Sequence, residues 1–173
     1  MISSSDNFPK NCPIISVYKK SEDGKRLKYN RGMQTYKFYV PIQVRYGDLD
    51  PQWHVNNSRY LTYMEQARLA YVMELCLFDG KSFMDLRLII ADVHISYRAP
   101  IALGQNIRVG TRTEKIGNKS IVFSYQIEDQ DSHKVLAIGE VVGVAYNYRE
   151  QKTTRVPDEW RTAISEFEGR NFD

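Results

Sequence analysis

The sequence predicts an α+β fold in which one long helix lies on the concave face of a twisted antiparallel sheet of five or more strands. Three observations support this. A single long stretch, residues 58–76, carries apolar residues at helical spacing, whereas at least five other stretches alternate at period two. Turn-forming residues separate the later strands closely enough to suggest antiparallel neighbours. The helix has a wide apolar face, which only a sheet of that extent can cover.

The first strand is "TYKFYVPIQVR", residues 35–45, where Phe38, Val40, Ile42 and Val44 alternate with their neighbours. A polar loop, "YGDLDPQWHVNN", follows. In "SRYLTYMEQARLAYVMELC", Tyr60, Met64, Ala67 and Tyr71 recur at spacings of four, three and four, and Tyr63 and Ala70 widen the same face. This predicts a helix of about five turns, ~28 Å long. Asn57 or Ser58 is placed to cap its start, and Phe78-Asp79-Gly80 marks its stop.

Strands follow. Val93, Ile95 and Tyr97 alternate with Asp92, His94 and Ser96; Ile107 and Val109 come after the Gly104 turn; Ile121, Phe123, Tyr125 and Ile127 form another set. Gly117-Asn118 signals a hairpin. "KVLAIGEVVGVAYNY" is apolar on both faces and is expected to run through the sheet centre. Pro157 opens a short helix with Trp160, Ile164 and Phe167 on one side, ending at Gly169.

A chain of 173 residues suits one domain, 35–173, preceded by an arm over residues 1–34. The formal charge of +3 divides unevenly: residues 1–37 carry +5 and the remainder −2, so the basicity belongs to the arm and argues against a nucleic-acid-binding domain. The N-terminal residues lack the pattern of a secretory or transit peptide, and no apolar run is long enough to span a membrane, which predicts a soluble, cytoplasmic protein. Cys12 and Cys76 lie far apart outside any Cys/His cluster, so neither a disulfide framework nor a structural zinc site is expected.

The loop and helix together resemble the hotdog-fold acyl thioesterases, the group around 4-hydroxybenzoyl-CoA thioesterase and the plant acyl-ACP thioesterases. The resemblance rests on Arg45-Tyr46-Gly47-Asp48-Leu49-Asp50, His54-Val55-Asn56-Asn57, and Tyr60, Tyr63, Glu65, Ala67 and Arg68. It extends through "HISYRAPIALGQNIRV" and "NKSIVFSYQI", covering about residues 36–148. It implies a hotdog fold, with sheets of two subunits joined edge to edge in a homodimer or tetramer.

It also implies hydrolysis of an acyl thioester, carried by coenzyme A or acyl carrier protein, without metal or redox cofactor. Asp50 matches the catalytic carboxylate, acting as general base or nucleophile, and the Asn57 backbone amide matches the oxyanion donor of the first helical turn. His54 matches a histidine of the plant enzymes that orients water or moves a proton. Asp48 is read as structural, bonding loop amides or pairing with Arg45, and Glu65 with Arg68 as an ordinary ion pair.

Trp53 stands where many relatives have glycine, implying either different loop angles or an indole over the acyl entrance. Tyr60 and Met64, with Tyr71 and Met73, are candidate walls for the acyl group; Arg98, Lys119 and Ser120 are candidates for the pantetheine or phosphates, ahead of Arg112 and Lys115. Two rival readings share the resemblance: a hotdog enoyl-thioester hydratase or dehydratase, and a non-catalytic acyl-thioester binding module whose arm contacts a partner.

Overall fold

A computed structural model of the chain describes residues 36–172. The basic arm assigned to residues 1–34 lies outside the described residues. The elements run β1 (Phe38–Gln43), α1 (Asn57–Glu74), β2 (Leu88–Tyr97), β3 (Asn106–Ile116), β4 (Ser120–Asp129), β5 (Val135–Asn147), β6 (Lys152–Thr153) and α2 (Asp158–Glu168). Every strand pairing is antiparallel. The order across the sheet is β1-β3-β4-β5-β2, with β6 a short addition to β5.

The sheet curls round α1, as expected of a hotdog fold. Its inner face presents Val109, Thr111 and Thr113 on β3, opposite Ile127, Tyr125 and Phe123 on β4 and continuing to Ala137 and Val141 on β5. Against these lie Tyr60, Met64, Ala67 and Tyr71 of α1, all buried, which is the face that helical spacing picks out. Helix and sheet approach closely at one point. A Cβ built on Gly139 of β5 would come within 2.5 Å of Met64 Sδ, so glycine there lets the methionine lie flat on the strand.

Three expectations need correction. The cap of α1 is Asn56, whose Oδ1 accepts from the Ser58 amide at 3.0 Å; Asn57 and Ser58 are the first helical residues. Three cap-forming residues stand in series, and the loop bonds before them decide which one is used. The helix also ends earlier than the Phe78-Asp79-Gly80 signal, at Glu74, and Cys76 takes φ 55°. The centre of the sheet is β4; β5, apolar on both faces, lies between β4 and the edge strand β2.

The terminal helix closes the other side of the core. Trp160 and Ile164 are buried, the Phe167 ring meets Tyr71 edge-on at 5.7 Å, and Gly169 ends the helix at φ 67°. Glu168 Oε1 accepts from Tyr71 Oη at 2.7 Å and from the Thr113 amide at 3.0 Å. α2 is thereby tied to α1 and β3 through one carboxylate.

Candidate active site

The loop between β1 and α1 is built on Asp48. Its Oδ2 accepts from the Arg45 amide and from Tyr63 Oη, each at 2.9 Å, and its Oδ1 lies 3.5 Å from Arg59 Nε. Its carbonyl accepts from the Asn56 amide at 2.8 Å, which fixes where the helix begins. The arginine that ion-pairs with Asp48 among the described residues is therefore Arg59, while Arg45 meets the Asp48 carboxylate through its amide. Burial, and then the bond to Asp48, hold the Tyr63 phenol well above its usual pKa.

Asp50, two residues on, is held differently. Its Oδ1 accepts from the Gln52 amide at 2.9 Å and the His54 amide at 3.3 Å, an Asx-type arrangement, while its amide donates to the His54 carbonyl at 2.8 Å. Its Oδ2 has no partner among the described residues, so one oxygen fixes the side chain and the other is left for a water or substrate. The carboxylate is half-buried.

The turn closes with the Trp53 amide donating to the Asp50 carbonyl at 3.0 Å. Trp53 has φ 63°, the left-handed conformation that glycine adopts without strain. The indole is 66% exposed and stands edge-on to Tyr46 at 6.4 Å. His54 is exposed, and its main chain bridges to Ala102.

Val55 is buried and donates to the Ile101 carbonyl at 2.8 Å, which brings the segment after β2 against the start of α1. Asn56 then accepts from Ser58 through its side chain and from Arg59, at 2.9 Å, through its carbonyl. The Asn57 N–H has no acceptor among the described residues, and it points along the helix axis where the macrodipole favours negative charge. A carboxylate with one open oxygen and an unpaired helix-terminal amide thus belong to one short loop.

The wall beside them comes from elsewhere in the chain. Tyr97, at the end of β2, donates from Oη to the Asn57 carbonyl at 3.2 Å and meets the Tyr60 ring edge-on at 4.9 Å. Tyr60 is buried, which raises its pKa. Beyond these rings a cavity of about 200 Å³ runs between α1 and β2, lined by Leu61, Met64, Glu65, Arg68, Ile90 and Val93 among others.

The phosphate candidates separate. Arg98 follows Tyr97, is exposed, and lies at the Asn57 end of the sheet. Lys119 and Ser120 lie at the other end, Ser120 opposite Val144 of β5 and Lys119 Nζ donating to Thr153 Oγ1 at 3.2 Å. Tyr97 pairs with Ala137 of the same strand, seven residues from Val144, so the two groups are about 23 Å apart in one chain.

Tyr97 and the groove residues Leu61, Ile90 and Val93 were missed as site residues in the sequence. Val93 and Tyr97 share the alternation of β2, but Ile90 joins their face only through the register shift between Ile90 and Asp92, Leu61 lies off the buried stripe of α1, and the contact between them is long-range. Among the described residues no group of three or more His, Cys, Asp or Glu side chains is placed to hold a metal ion. Among the same residues no helix is long and apolar enough to cross a membrane.

Comparison with known proteins agrees with this architecture. The long-chain acyl-CoA thioesterase FadM of Escherichia coli is 26% identical over 126 residues, covering 73% of this chain and 96% of that protein. A thioesterase of Thermus thermophilus, solved with coenzyme A and zinc, is 30% identical and superposes with a TM-score of 0.70 over 80% of this chain and 98% of that one. A 1,4-dihydroxy-2-naphthoyl-CoA thioesterase of Synechocystis, at 21% identity, shares the fold with a TM-score of 0.68 over 76% of this chain and 97% of that one. The sequence profile of the thioesterase-like superfamily matches residues 44–164, so the chain, with its hotdog sheet and its loop-and-helix site, belongs to that superfamily.

Proposed function

We propose that this thioester hydrolase acts on an acyl-CoA, with Asp50 as the carboxylate and the Asn57 amide as the oxyanion donor. The observation that carries the reading is the pairing, on one short loop, of an Asp50 oxygen and a helix N–H that have no partner among the described residues. The thioester carbonyl oxygen accepts from the Asn57 N–H. Asp50 Oδ2 takes a proton from water as that water attacks the carbonyl carbon, and negative charge builds on the oxygen facing the helix terminus. Collapse of the tetrahedral intermediate breaks the carbon–sulfur bond, and the thiolate recovers the proton, with exposed His54 at hand to carry it.

The active unit in this reading is a homodimer. β2 is an edge strand ten residues long, with Ile89, Ile90, Val93 and Tyr97 more than a third exposed. An apolar edge with no neighbouring strand among the described residues invites a second strand, and a second copy of β2 supplies it while closing the groove beside Tyr97.

The test is release of free thiol from a panel of acyl-CoAs by wild type and Asp50→Asn, with the mass of each in solution measured by sedimentation. Asparagine keeps an oxygen for the Gln52 and His54 amides, so the loop is retained while the base is lost. The expected result is a dimer in both, with kcat lower by about 100-fold or more in the variant. Equal turnover by the two would remove Asp50 from the mechanism, and an active monomer would remove the second copy.

A further inference from the structure

The geometry points to the groove between α1 and β2 as the channel for the acyl chain, with Arg68 as its end-stop, so that the preferred substrates are linear acyl groups of about ten to twelve carbons. This rests on the thioesterase reading, which puts the thioester carbonyl at the Asn57 amide.

Asn57, Leu61, Glu65 and Arg68 follow one another at i, i+4, i+8 and i+11, so they form a single stripe along α1. The last three line the cavity of about 200 Å³, facing Ile90 and Val93 of β2 and Val141 of β5. The opposite wall runs the other way in sequence but in the same direction in space: Tyr97 lies by Asn57, and Val93 and Ile90 lie further along. The stripe that starts at the Asn57 oxyanion donor thus leads into the groove, whose lining is mainly apolar through Leu61, Met64, Ile90, Val93 and Val141, with Thr62 and Glu65 as polar members ahead of Arg68.

The far end is polar. Arg68 is 9% exposed, donates from Nη1 to Tyr125 Oη at 3.3 Å, and has Nη2 3.9 Å from Glu65 Oε1. A methyl group arriving there must displace or press against a guanidinium already stripped of most of its water. Eleven residues at 1.5 Å place the Arg68 backbone about 16 Å from Asn57. Helical side chains lean toward the N-terminus, so the guanidinium shortens the usable length by a few ångströms. At about 1.25 Å per methylene of an extended chain, some ten to twelve carbons fill the distance.

Binding of non-hydrolysable S-alkyl-CoA thioethers, of roughly four to sixteen carbons, tests this by calorimetry on wild type, Leu61→Trp and Arg68→Met. In wild type the affinity is expected to rise about threefold to fourfold per added methylene until about the tenth to twelfth carbon and then level off. Leu61 stands one turn from Asn57, so the tryptophan is expected to bring the plateau back to about the fifth carbon. Methionine at Arg68 removes the polar end and is expected to let the rise continue to the longest chain.

Plateaus that coincide in all three proteins would overturn the channel. Because binding needs no hydrolysis, the two readings fail separately. Length-dependent binding without thiol release sinks the hydrolysis, and thiol release with length-independent binding sinks the channel. Leu61→Trp keeps the test decisive if Arg68→Met does not fold.

Discussion

Asp48 and Asp50 are two residues apart and have opposite surroundings. Asp48 is saturated by an amide, a phenol and a guanidinium, whereas Asp50 has one oxygen bound and one open. The first holds the loop, and the second is the carboxylate that the proposed hydrolysis uses. Trp53 between Asp50 and the helix shows what the loop costs: an L-residue in the left-handed region is disfavoured, and little packing offsets it at 66% exposure. Trp53→Gly is therefore expected to be more stable than Trp53→Ala by about 0.5–1 kcal/mol, the gain in backbone freedom partly offset by the greater entropy of glycine in the unfolded chain. Denaturant unfolding of the two variants measures the difference, and an equal or lower stability for the glycine variant would show that the turn is not strained.

At the scale of the elements, the contact of α1 with β5 depends on Gly139. Gly139→Ala puts a methyl group 2.5 Å from Met64 Sδ, and the buried methionine side chain must repack, or the helix shift, to admit it. A loss of about 1–3 kcal/mol is expected, smaller when Met64→Ala is already present, since the methionine is then no longer in the way. Thermal unfolding of the two single variants and the double variant checks this coupling. Much of this layer was legible in the sequence because it is local: the inward sets Val109/Thr111 and Phe123/Tyr125 follow from alternation, and Tyr60, Met64, Ala67 and Tyr71 from helical spacing. The loop from Arg45 to Asn57 was legible for the same reason. The cap was misplaced by one residue because Asn56, Asn57 and Ser58 are equivalent until the Asp48 carbonyl takes the Asn56 amide. Strand order was not legible, since β2 passes over β3 and β4 to pair with β5 and no nearby residue encodes that. Tyr97 and the Leu61–Val93 groove depend on that crossing and were hidden with it.

For the molecule as a whole, tyrosines link the layers. Tyr36, Tyr39, Tyr60, Tyr63, Tyr71 and Tyr125 all have pKa values raised primarily by burial, Tyr39 and Tyr125 to about 12. A raised value in the folded state means that folding favours the protonated phenol. The stabilisation is thus complete below the unfolded value of about 10 and is lost as pH rises through the folded values. The denaturation midpoint is expected to fall steeply above pH of about 10, with tyrosinate absorbance appearing together with unfolding. A titration in which these phenols ionise while the protein stays folded would show that their burial does not contribute to stability in this way.

The two tryptophans of the chain divide these scales between them. Trp160 is 3% exposed within the core that α2 closes, and Trp53 is 66% exposed on the strained loop beside Asp50. An indole in a dry interior emits at shorter wavelength than one in water, so the intrinsic fluorescence of the protein carries two separable signals. The blue component reports whether the core is closed, and the red component reports what touches the loop that carries Asp50, without a label at either place.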